Sequence, residues 1–224
     1  ESLKKLNLGR EASDELKGLV SGAAEQYAAE YERQWRRYYE SWVLKIDSLG
    51  ALKLVLGQMK LSASRFQELI QTVVDHTTIQ PATSTYLRAM GERMAAFQPI
   101  ARLLDSAGPK APTEIEHYRA ILGRILSDLE GAEAPPEEGE APKKEEAVDF
   151  EAELTPLGRL SFAIVSDHRD SYLLITEQWL KSAGITGRWR DPFLQPISAI
   201  DSLGRTDISA ALDKSWKVRV RAQV

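Results

Sequence analysis

The 224-residue chain has no cysteine, three histidines and three methionines. The missing cysteine excludes a disulfide framework, a thiol nucleophile and a thiolate-held metal, and it suits an oxidising or a reducing compartment equally. Long apolar runs are missing as well. A membrane-spanning helix needs about 20 consecutive apolar residues, and the longest mostly apolar stretches here, at 52–56 and 161–165, are the size of core segments. The first ten residues are charged and lack the apolar stretch of a secretory leader. A chain that opens on Glu1 and stops at Val224 without a helix-stop signal is read as a fragment of a longer protein.

An excess of one charge is lacking too. The net charge is −4, and the acidic balance is local: between Gly131 and Asp149 seven acids face two bases, giving −5 there and leaving the rest near +1. That remainder has no basic footprint for nucleic acid. Arg33, Arg36 and Arg37 stand among Glu30, Glu32 and Glu40, the pattern of a solvated helix face rather than a phosphate track.

What the chain does have is helical periodicity, with 43% hydrophobic residues, enough for one generous helical domain or two small ones. Over residues 13–46, Leu16, Val20, Ala23, Tyr27, Tyr31, Trp35, Tyr38 and Trp42 recur at steps of three and four, one stripe of a long helix. Ser13 and Asp14 supply its N-cap chemistry. Ser48 caps a short helix through Leu52, Leu56 and Met59, weakened at Gly57 by about 1 kcal/mol relative to Ala. Ser62 or Ser64 opens the next, with Phe66, Leu69, Ile70 and Val73 on one face, ending before Pro81. Residues 83–96 and 100–106 form two more, with Pro99 in the first turn of the second. Thr113 caps a strongly periodic helix through Ile115, Tyr118, Leu122, Ile125 and Leu129.

Residues 131–149 are rich in Glu, Pro and Ala, too polar to offset the entropy of ordering, and predict a flexible linker. Helical patterns resume at 156–165, 170–182, 192–203 and 208–224, with Gly184, Gly187 and Gly204 as punctuation. The run 216–221 alternates but has no second strand to pair with. The expected class is all-α, a multi-helix bundle with one long aromatic-striped N-terminal helix. Its organisation is a helical subdomain over 1–130, the acidic linker, and a second helical subdomain over 150–224, or one continuous bundle. The expected structural core includes Tyr27, Tyr31, Trp35, Tyr38, Trp42, Leu69, Val73, Tyr118, Leu122 and Trp216.

Few residues suggest chemistry. His76, His117 and His168 are far apart in sequence and show no metal-ligand spacing. Asp167, His168, Arg169 and Asp170 form the densest polar cluster, which reads first as helix-end contacts. Gly184 and Gly187 lack the Lys-Ser or Lys-Thr of a phosphate loop. Glu114 and Glu116 are two apart on a helix and diverge. Trp189, Pro192, Phe193 and Pro196 read as a packed corner before a docking knob. No catalytic, cofactor-binding or metal residue is assigned, and no cofactor is expected.

Several spacings occur in a particular order. They are Tyr27-x3-Tyr31-x3-Trp35-x2-Tyr38, a helix from Ser64 with Leu69-Ile70-x2-Val73 leading into Thr77-Thr78-Ile79, then Phe97-x-Pro99-Ile100-x2-Leu103-Leu104. Tyr118-x3-Leu122-x2-Ile125 and Leu212-x3-Trp216-x3-Val220 follow. In this order the series resembles the helical part of the periplasmic region of the IcmF/TssM family, the inner-membrane core protein of type VI secretion. Arg65 replaces a Pro common in that family, Asp213 an Asn, and the acidic segment is an insertion. The resemblance implies a non-catalytic scaffold in the periplasmic part of an inner-membrane protein. Its partners would be the other subunits of the secretion membrane complex, namely an inner-membrane partner and an outer-membrane lipoprotein contacted mainly through regions absent here, together with self-association. A free-standing helical adaptor that binds a peptide or partner helix is the alternative.

Overall fold

Short polar side chains open five of the described helices. In a computed structural model that describes residues 10–79, 84–106, 108, 111–131, 154–166 and 168–221, the chain order is α1 (Arg10–Glu40), α2 (Leu49–Met59), α3 (Arg65–Thr77), α4 (Thr85–Met94), α5 (Gln98–Arg102), α6 (Glu114–Gly131), α7 (Pro156–Val165), α8 (Tyr172–Ser182) and α9 (Asp191–Arg221). The class is all-α; among the described residues the only extended pairing is a single bridge between Ser106 and Thr113. Ser48 Oγ accepts the Ala51 amide at 3.2 Å to open α2, and Ser64 Oγ, not Ser62, accepts that of Gln67 at 3.1 Å to open α3. Ser84, Thr155 and Ser171 do the same for α4, α7 and α8. Each such cap contributes about 0.5–2 kcal/mol.

Helix α8 ends on a built stop. The Gly184 amide donates to the Lys181 carbonyl at 3.1 Å and that of Ile185 to Leu180 at 2.8 Å. The second bond needs a left-handed residue between, and Gly184 has φ +73°. Leu180 and Ile185, which close this turn, are both buried.

The chain divides into two compact units, one of Glu1–Trp42 with Leu69–Arg102, the other of Val43–Glu68 with Leu103–Val224. In the first, α1 has α4 as its main neighbour. The core holds Ala24, Ala28 and Tyr39 from α1, Leu69, Ile70 and Val73 from α3, Met90 and Met94 from α4, and Phe97 and Ile100 beyond it. The aromatic stripe expected in this core is corrected in part. Tyr27 is 52% and Tyr38 46% exposed, and Tyr31, Trp35 and Trp42 are half-buried. The stripe has the helical period but a different phase from the contact: the buried line of Ala24, Ala28 and Tyr39 lies roughly 40–120° around the helix from Tyr27 and Tyr38 at 100° per residue. Small side chains at the contact let two helices approach, and the bulkier rings are left at its margin.

Helix α1 also stops at Glu40, short of residue 46. Ser41 Oγ donates to the Tyr38 carbonyl at 2.8 Å, and the Trp42 amide takes the tighter bond to Tyr39 at 3.2 Å. In the second unit the Leu44 amide donates to Gln195 Oε1 at 2.6 Å, so it needs no helical partner.

The second unit is built round four rings, Phe66, Tyr118, Trp179 and Phe193. Tyr118 lies 5.1 Å from both Trp179 and Phe193, and Phe66 lies 5.3 Å from Phe193. Tyr118 and Leu122 are wholly buried. Helix α6 is apolar on more than one stripe, burying Ile115, Tyr118, Ile121, Leu122, Ile125, Leu126 and Leu129, and it therefore takes α2 on one side and α8 on another. Helices from before and after residues 131–149 therefore share one core. Tyr118 Oη donates to the Phe193 carbonyl at 2.8 Å, Trp179 Nε1 to Glu114 Oε2 at 2.9 Å and Tyr172 Oη to Asp128 Oδ2 at 2.6 Å. Gly131 closes α6, and the rest of the acidic segment lies outside the described residues.

Two expected helices, 192–203 and 208–224, are one. Helix α9 runs through Gly204, which is no terminator. A Cβ there would stand 2.3 Å from Ser161 Cβ and 2.8 Å from the Leu157 carbonyl oxygen, so the glycine is what lets α7 and α9 touch. Helix α9 likewise turns small residues inward, Gly204, Ala211 and Ser215. Trp216, one step round from Ser215, is 67% exposed and does not belong to the core. The alternating run from 216 is helical to Arg221.

Candidate functional site

The three histidines do not converge. His76, in the last turn of α3, lays its ring on Trp35 with centroids 4.7 Å apart and 16° between planes, and its carbonyl accepts from Tyr31 Oη at 2.9 Å. His117 is exposed on α6. His168 Nδ1 is 3.9 Å from Asp170 Oδ2 and accepts from the Asp170 amide at 3.4 Å, on an open surface. Asp167, part of the same sequence cluster, lies outside the described residues. Among the described residues no three His, Asp or Glu side chains gather as a metal would require.

The paired carboxylates have structural partners. Glu114 Oε2 accepts the Trp179 indole N–H. Glu116 Oε2 accepts the Thr113 amide at 2.7 Å, and this bond chiefly holds its carboxyl below the usual carboxylate range. It has the geometry of the return half of a capping box, running from Glu116 in the first turn of α6 back to the amide of Thr113. Burial pushes the Tyr118 hydroxyl above its usual range, and burial with the bond to Asp128 does the same for Tyr172. Thr176, fully buried in α8, has a hydroxyl without a hydrogen-bond partner among the described residues.

Several concave features and one ladder of rings remain among the described residues. In the first unit a cavity of about 130 Å³ is lined by Thr77, Thr78, Ile79, Met94 and Phe97 among others, with no titratable side chain among the described residues of its wall. In the second unit a groove of about 580 Å³ runs between the segment carrying Val43, Leu44 and Ile46 and the first turns of α9 at Leu194, Gln195 and Ala199. Val43 stands 77% exposed beside it. Nothing in the sequence marks this groove, because its walls come from segments as far apart as Leu44 and Gln195.

The ladder runs along α1. Tyr27 and Tyr31 stack at 6.1 Å, Tyr31 and Trp35 meet edge-on at 6.2 Å, and Trp35 and Tyr38 at 5.4 Å. Its rings are thus in contact along the helix, with the outer pair open to solvent. The Trp189, Pro192, Phe193 and Pro196 corner is packed, with Pro192, Phe193 and Pro196 buried and Trp189 half-buried. No described helix is long and apolar enough to cross a membrane. Comparison with protein-family models, curated proteins and solved structures gives no match to this chain.

Proposed function

We propose that this chain is a structural scaffold segment, the helical part of the periplasmic region of an IcmF/TssM-type inner-membrane protein, and that it has no catalytic step of its own. The observation that carries this reading is the ordered series of spacings from Tyr27 to Val220. Helices α1 and α9, each of 31 residues, agree with it: at 1.5 Å per residue each spans about 46 Å, a length suited to setting a distance. On this reading, partners are the other subunits of the secretion membrane complex, met chiefly through neighbouring regions of the parent protein, and nucleic acid is not among them.

The parent gene supplies the test. Its sequence is expected to encode membrane-spanning helices upstream and a β-rich region downstream, and in-frame removal of this segment is expected to abolish effector export. A reading frame with neither flank, or export that survives the deletion, overturns the proposal.

A second reading, a helical adaptor for a peptide or partner helix, is favoured by the groove at Val43 and Leu194. It requires that Leu194→Glu abolish capture of a helical peptide by the isolated chain while leaving its circular dichroism unchanged.

A further inference from the structure

We draw no further inference here: the strongest candidate, the exposed apolar line of α1 that carries Val20, Tyr27 and Tyr38, is a solvent-open helix face, and nothing in the structure shows what covers it.

Discussion

The two long helices, α1 in one unit and α9 in the other, have equal length and use their residues in opposite order. Helix α1 buries alanines first and keeps most of its rings at the margin or in solvent. Helix α9 buries Phe193, Ile197 and Ile200 in its first turns, then narrows to Gly204, Ala211 and Ser215, and exposes its one late aromatic, Trp216. Ring count therefore says little about which face is inside. Where helices cross closely, the smallest side chains mark the contact, and the large ones mark it only where there is room for a cluster such as that round Tyr118.

The contrast can be broken most directly at Phe193. Phe193→Ala removes a fully buried ring from the four-ring cluster and is expected to cost about 3–5 kcal/mol, read as a lower urea midpoint. A loss below about 1 kcal/mol would place the weight of this core elsewhere. Gly204→Ala comes next, at about 1–3 kcal/mol, because the Leu157 carbonyl and Ser161 that it strikes belong to α7 itself. An unchanged melting temperature would show that α7 and α9 part freely.

Alkaline pH sharpens the account of the second unit. Tyr118 and Tyr172 both have hydroxyls pushed above the ordinary value of about 10. In the unfolded chain they ionise near that value while the folded chain holds their protons. Stability from this source is thus complete below pH of about 10 and is lost as pH rises beyond it. Urea midpoints measured from pH 8 to 11 should fall at the upper end, and Tyr118→Phe should shrink the fall. A midpoint that drops equally in the variant would exclude Tyr118 as a source.

The smallest effects are expected on the exposed rings. Tyr27→Ala and Trp216→Ala should each change stability by no more than about 0.5 kcal/mol. If Tyr27→Ala instead approaches the loss at Phe193, the ladder on α1 is a core and the comparison between the helices fails.

Much of the fold was legible in the letters, and the reasons are local. Ser48 and Thr113 announce helix starts because their hydroxyls or amides are satisfied within three residues. Leu69, Val73, Tyr118 and Leu122 recur at the helical period on faces that do become buried. What failed was phase and partnership. Tyr27, Tyr38 and Trp216 outweigh Ala24, Ala28 and Ala211 in hydrophobicity, but the contact selects for closeness, which a hydrophobic stripe does not record. The shared core of α6, α8 and α9 bridges an acidic segment whose composition suggests a boundary. The groove at Val43 was illegible for the same reason, since its two walls meet only after folding.

Gly204 and Gly123 both lie inside helices, yet they differ in what substitution they can accept. Round Gly123 no atom of the described residues, its own turn of helix aside, stands within 4 Å of where a Cβ would be, whereas at Gly204 that place is already taken by α7. Over generations of drift, position 123 is free to wander through the better helix formers, and position 204 is held at the one residue without a side chain. Two identical letters thus carry opposite degrees of evolutionary freedom, and a glycine in mid-helix can mark where a second helix touches the first.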